Sequence, residues 1–187
     1  MQADAAPLPP TTQPGLAPTR EPIAIIGIGC RYPGDANGPE GFWRLVRDSI
    51  DAITEAPADR WHSAAFYDDD PSAPGKMYSR WGGFLPDVDQ FDAPFFAISR
   101  LEAARMDPQQ RLLLEVAWEA FEDAGLPVGQ LAGSKTGVFI GASRNDYGEI
   151  QLSPTERETL NAYSILGLAS CMLANRLSYL FDLRGPS

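Results

Sequence analysis

The sequence predicts an α/β fold, and three groups of residues carry that prediction. Ile23 through Cys30 is a continuous apolar run rich in β-branched residues, the pattern of a strand buried on both faces. Leu112, Leu113, Val116, Ala117, Ala120, Phe121 and Ala124 fall on one helical stripe. Lys135 to Ala142 then repeats the strand pattern, and Thr159 to Phe181 is apolar nearly all round, as expected of a helix sandwiched between sheets. Strand, helix, loops, helix, strand, helix is an α/β order whose next element would be a strand.

In chain order, residues 1–21 read as a flexible linker or tail. Pro7, Pro9, Pro10, Pro14 and Pro18 lie among Ala, Thr and Gln, with too little apolar bulk to bury and no heptad pattern. The globular region is expected over 22–187. Pro39 to Ile50 places Phe42, Trp43, Leu45, Val46 and Ile50 at the spacing of a short amphipathic helix. Residues 51–98 combine aromatics with scattered Pro, Gly and Asp, which predicts an irregular excursion anchored by rings. Ser99-Arg100-Leu101-Glu102 has the form of a capping box. Asp107-Pro108-Gln109-Gln110 is a second start signal, with Asp at the N-cap, Pro at N1 and Gln at N3. Gly125 is expected to end that helix. Gly185-Pro186 after the last helix reads as a stop-and-turn.

Composition narrows the function. The chain has 187 residues, is 44% hydrophobic and 21% charged, and carries a formal net charge of -10. Its only lysines are Lys76 and Lys135, and no basic cluster is present, so neither nucleic acid nor an anionic membrane is expected as a partner. No signal-peptide pattern opens the chain. The longest uncharged stretch, Thr159 to Asn175, is too short and too polar for a membrane span. A cytoplasmic location is expected. Cys30 and Cys171 both read as small buried hydrophobes rather than a disulfide pair.

Several motifs fail on chemistry. Gly27-Ile28-Gly29 follows a strand pattern, but Tyr32 stands where a dinucleotide-binding fingerprint needs its third glycine. Gly133-Ser134-Lys135-Thr136 lies before a strand rather than after one, so it is not a phosphate loop. Asp68-Asp69-Asp70 lacks the glycine and glutamate of a calcium loop. His62, the single histidine, has no nucleophile or orienting carboxylate in the pattern. Cys171 reads as mid-helix, where nothing activates a thiol. No catalytic, cofactor-binding or metal-ligating residue is assigned.

A run of motifs does point to a family. Glu21-Pro22-Ile23-Ala24-Ile25-Ile26-Gly27-Ile28-Gly29-Cys30-Arg31-Tyr32-Pro33-Gly34 resembles the opening of the β-ketoacyl synthase domain of modular (type I) polyketide synthases. The resemblance continues through Pro57-Ala58-Asp59-Arg60-Trp61, Trp81-Gly82-Gly83-Phe84, Phe91-Asp92 and Phe95-Phe96. It is densest from Glu102 to Glu115, and extends through Thr136–Gly141, Asn145-Asp146-Tyr147 and Ala174–Tyr179 to Gly185-Pro186-Ser187.

The resemblance implies a thiolase-like fold, αβαβα layered, of which this chain supplies the N-terminal half only. It also implies an obligate homodimer and a decarboxylative Claisen condensation. Acyl thioester substrates would be presented on the phosphopantetheine of an acyl carrier protein partner, with no cofactor bound directly. In the family the nucleophilic cysteine follows soon after the Gly-Pro-Ser motif and two catalytic histidines come much later. None of the three is expected within these 187 residues, so the chain alone is expected to be inactive. Two departures stand out. Arg100 and Leu101 replace a common Pro and Arg. Ile165-Leu166-Gly167-Leu168 replaces a small polar stretch, a change that either is absorbed by neighbouring side chains or narrows an acyl pocket. The alternative reading is a truncated, non-catalytic protein that only dimerises with or binds a synthase.

Overall fold

The structure is a computed structural model that describes residues 21–187; the predicted tail lies outside the described residues but for Glu21. Chain order runs through β1 (Arg31–Tyr32), β2 (Ala36–Asn37), α1 (Gly38–Arg47), β3 (Thr54–Glu55), α2 (Ser63–Phe66), β4 (Trp81–Gly82), α3 (Arg100–Ala103) and α4 (Pro108–Asp123). After these come α5 (Val128–Leu131), α6 (Asp146–Gln151), a 3₁₀ turn (Arg157–Thr159), α7 (Ala162–Leu168) and α8 (Met172–Leu180). The strands make two antiparallel pairs, β1 with β2 and β3 with β4. The first closes through Gly34 and Asp35, both at positive φ, where Gly and Asp are among the residues that accept a left-handed turn. The expected helix and loop excursion over 39–98 thus appear with α1 and only short pieces of regular structure.

Helix α4 organises the rest. The Asp107 Oδ1 accepts the Gln109 N–H at 2.8 Å, Pro108 opens the helix, and Gly125 ends it at φ 64. One face of α4 packs Leu113, Leu114, Ala117, Trp118 and Phe121 against Phe96, Met106, Val138, Leu177, Phe181 and Leu183. Phe95 meets Trp118 edge-on at 4.7 Å, and Phe121 meets Phe181 edge-on at 5.2 Å, a geometry that aromatic quadrupoles favour. The face carrying Val116, Ala120 and Ala124 lies under Gly27 and Gly29.

Four sequence expectations need correction. The run 23–30 forms no strand ladder among the described residues. Its glycines sit on α4, while its other side faces solvent, with Ile23 97% exposed. A strand buried on both faces needs neighbours on both sides, and the described residues supply only the helix. The segment 135–142 likewise carries no ladder: Val138 enters the core and Phe139 stays 82% exposed.

The turn after the last helix comes earlier than Gly185-Pro186. It is made by Asp182 at φ 48 and by the Leu183 N–H bonding Ser178 O at 2.8 Å. Beyond it, residues 184–186 already run beside 134–138, through Arg184 N–H to Ser134 O (2.7 Å), Gly185 N–H to Thr136 O (3.1 Å) and Val138 N–H to Pro186 O (2.8 Å). Gly185 is needed there, since a Cβ would lie 2.4 Å from Thr136 O.

Finally, 159–181 is not one helix. It is α7 and α8 with a break at Ala169, whose ψ is 122°. Asn161 starts α7 in a capping box with Ser164. Ile165 (75%) and Tyr179 (88%) are exposed, so neither helix is buried all round. The reason for the break lies in the polar contacts beneath it.

Candidate functional site

The first turn of α4 and the end of α7 are joined by a chain of buried polar groups. The last carbonyls of a helix have no partner within the helix and must find one elsewhere when buried. At the end of α7 they find two side-chain amides and one backbone N–H. The Gln110 Nε2 donates to Leu166 O (3.1 Å) and Gly167 O (2.9 Å), the Asp107 N–H also donates to Gly167 O (3.0 Å), and the Asn145 Nδ2 donates to Leu168 O. Gly167 itself is forced by contact, because a Cβ would lie 2.0 Å from Arg105 O.

Gln110 is in turn held from the other side. Arg176 Nε donates to Gln110 Oε1 at 3.0 Å, and Arg176 Nη1 donates to Glu102 Oε1 at 2.6 Å. This alters two sequence expectations. The Ser99 hydroxyl does accept the Glu102 N–H at 3.1 Å, but the Glu102 carboxylate pairs with Arg176 instead of completing a capping box. Gln110, at the predicted N3 position, gives its side chain to α7 rather than to its own N-cap. Gln151 Nε2 on Arg105 O (2.9 Å) and Tyr147 OH on Ala104 O (2.9 Å) tie α6 to the same junction.

Above this junction is an apolar groove of about 530 Å³, lined by Leu152, Leu160, Asn161, Ser164, Ile165, Leu168 and Ala169. Its volume is in the range of small-molecule sites. In the capping of α7, Asn161 Oδ1 accepts the Tyr163 N–H and Ser164 Oγ accepts the Asn161 N–H. The rest of the lining, Leu152, Leu160, Ile165, Leu168 and Ala169, is aliphatic, so the surface suits a chain of methylenes better than a charged ligand. Two residues of the stretch that replaces the small polar one, Ile165 and Leu168, line it.

A second cavity, about 430 Å³, has mixed polar and apolar walls and lies against α4 at Leu112 and Glu115, with Arg31, Asp87, Gln90 and Asp92 among its lining residues. Arg31 makes a two-pronged pair with Glu119, which raises the guanidinium further above its ordinary value. Burial pushes the Glu115 carboxyl above the usual carboxylate range, against the pull of Arg31.

The motifs set aside on sequence occupy structural roles. A Cβ on Gly27 or Gly29 would lie 2.3 Å from Ala120 O or 2.2 Å from Val116 O, so these glycines serve close packing of chain on helix. Asp68 and Asp70 cap their own turn by accepting the N–H groups of Asp70 and Ser72 at 2.9 Å. His62 is an exposed N-cap of α2, and Ser134 and Thr136 bond each other at 2.7 Å. No cluster of metal-ligating side chains occurs among the described residues. Cys171 requires correction: it is the exposed N-cap of α8, not a mid-helix residue, because the helix breaks just before it. Cys30 is half-buried, and both thiols are free. No helix among the described residues is long and apolar enough to cross a membrane.

Comparison with known proteins fixes the class. The family model described as β-ketoacyl synthase, N-terminal domain, matches residues 20–187, and the chain belongs to that family of condensing enzymes. Its relatives are modular polyketide synthases. It is 52% identical over 167 residues to a phenolphthiocerol/phthiocerol polyketide synthase of Mycobacterium tuberculosis, covering 89% of this chain and 9% of the relative. It is 48% identical over 187 residues to polyketide synthase GfsA of Streptomyces halstedii, covering 100% of this chain and 2% of the relative.

Among solved structures it resembles the oxazolomycin ketosynthase domain OzmH KS7 of Streptomyces albus, with TM-score 0.80 and 43% identity, over 87% of this chain and 28% of that one. It also resembles the ketosynthase from module 6 of the bacillaene synthase of Bacillus subtilis, with TM-score 0.72 and 34% identity, over 88% and 25% of the two chains. The fold is therefore thiolase-like, and the match falls on its N-terminal part. The chain spans a small fraction of the curated relatives and about a quarter of the ketosynthase chains.

Proposed function

We propose that this chain is the N-terminal portion of a polyketide synthase condensing domain that extends an acyl chain by decarboxylative Claisen condensation. A cysteine thiolate accepts the growing acyl group as a thioester. An extender carried as a β-carboxyacyl thioester on an acyl carrier protein loses CO2, and the carbanion equivalent so formed attacks the acyl carbonyl. The new carbon–carbon bond forms as the cysteine thiolate leaves, giving a β-ketoacyl thioester on the carrier. The cysteine and two assisting histidines belong to the part of the domain outside these 187 residues. The phosphopantetheine arm arrives with the carrier protein and is substrate, not a resident cofactor. The working enzyme is a cytoplasmic homodimer.

The observation that carries this reading is the continuous match of residues 20–187 to the ketosynthase N-terminal domain. Two features of the chain support it physically. Residues 184–186 are laid beside 134–138 by three backbone hydrogen bonds, which ties the Gly185-Pro186 segment to the 134–138 segment. The groove on α7 offers aliphatic walls of the kind an acyl chain needs.

The test is a reconstituted assay of the intact synthase with acyl and extender groups loaded on its carrier protein. Mass spectrometry should show a β-ketoacyl carrier and release of CO2. A carrier that stays loaded but unextended, with the protein still bound to its synthase partner, would favour a non-catalytic binding role.

A further inference from the structure

We infer that Gln110 and Asn145 are positioning residues that set the wall of the apolar groove from below. Their amides are the side-chain donors to three successive carbonyls, those of Leu166, Gly167 and Leu168. Those carbonyls belong to the stretch in which α7 stops and the chain turns at Ala169, and Leu168 and Ala169 line the groove. A helix end left to itself frays or continues; here each of the three carbonyls is drawn down by a donor from another element. The position of the wall is therefore dictated by residues that do not line the groove.

Each amide is oriented by a different contact, which rules out a free flip. Gln110 is only 2% exposed, and its Oε1 accepts from Arg176 Nε, so its NH2 must face α7. Arg176 is fixed by Glu102. Asn145 Oδ1 accepts the Gly148 N–H and caps α6, which leaves its NH2 for Leu168 O. In both residues the oxygen is held by one partner and the nitrogen does the clamping. Carboxylates at these positions keep the oxygen's role and abolish the donation. Gln110→Glu still accepts from Arg176 and Asn145→Asp still caps α6, yet each presents a carboxylate to the carbonyl it formerly held.

On the proposed condensing activity, on which its functional half rests, the clamp controls which acyl chains are accepted. These polar groups do not line the groove, so the effect belongs in selectivity and KM rather than in the chemical step.

The experiment compares Gln110→Glu, Asn145→Asp and a control, Gln109→Glu, in the intact synthase. The Gln109 amide bonds Arg144 O and Asp107 rather than α7. Hydrogen–deuterium exchange is read on peptides spanning Asn161–Cys171, and condensation rates are measured with short and long acyl thioesters. The two variants should speed exchange in that segment roughly tenfold, with other helices unchanged. They should also shift the ratio of KM values between short and long chains severalfold while kcat stays within about twofold, and the control should do neither. Unchanged exchange in either variant that folds overturns the clamp. Faster local exchange with no change in acyl preference overturns its role in selectivity. If wild-type protein forms no β-ketoacyl product, the condensing activity fails instead, and the exchange data still decide the clamp.

Discussion

Gly29 has no room for a side chain. A Cβ at this position would lie 2.2 Å from the carbonyl oxygen of Val116, which is backbone and cannot swing aside. Gly29→Ala in the intact domain should therefore destabilise it by about 2 kcal/mol or more, read as a lowered thermal midpoint. Glu102 is a different kind of constraint, because it neutralises a buried arginine. Glu102→Ala leaves Arg176 charged and unpaired in the core, at a cost of about 3 kcal/mol. Measured against Glu102→Gln, which keeps a hydrogen-bond acceptor, it should be clearly the worse of the two by urea denaturation. Glu115 works in the opposite sense. Its carboxyl holds a proton more tightly in the folded protein than in the unfolded chain, chiefly through burial. Its ionisation therefore opposes folding: stability contributed at low pH is lost as pH rises from the ordinary carboxylate range through the raised value. The site is partly solvated, so the effect is a few tenths of a kcal/mol. Glu115→Gln should flatten that part of the stability-versus-pH curve, with no change below it.

At the scale of elements, α4 is the piece most fully legible in the sequence, and the reason is local. Asp107, Pro108 and Gly125 act on backbone groups within a few residues, so their signals survive without knowledge of the fold. The groove was not legible, because its cause is remote. As a pattern, Thr159–Phe181 is a continuous helix; at the break its carbonyls are held by Gln110, 57 residues away from Gly167, and by Asn145, 23 residues away from Leu168. The same remoteness hides the place of Cys171, which caps a helix although the pattern puts it inside one. The signal nearest the break was Gly167 within the apolar run, a poor helix former whose packing reason is the Arg105 carbonyl. Gly167→Ala should push α7 off the α3–α4 junction. It should lower the thermal midpoint by several degrees and raise exchange across Asn161–Cys171, while α1 stays protected. The strands expected at 23–30 and 135–142 carry no ladder among the described residues for a related reason: an apolar run reveals a tendency to be buried, not which neighbour supplies the ladder.

For the whole molecule, the apolar surface left on residues 21–187 is the dominant feature. Ile23, Ile25, Ile26, Phe139, Ile165 and Tyr179 are all largely solvent-facing, and large apolar side chains exposed in such number favour association. Expressed alone, residues 1–187 should scatter light or bind a hydrophobic dye and should melt without a cooperative transition. A soluble monomer with a sharp melt would instead mark an independent module. The thiolase-like fold and the aliphatic groove are the two features on which the proposed condensing role rests. The central claim is that this chain helps build a condensing site, and product formation tests it most directly. Mass spectrometry of the carrier protein after incubation with the intact, loaded synthase should show a β-ketoacyl adduct with one CO2 released per new carbon–carbon bond; a carrier that keeps its unextended acyl and extender groups would contradict it.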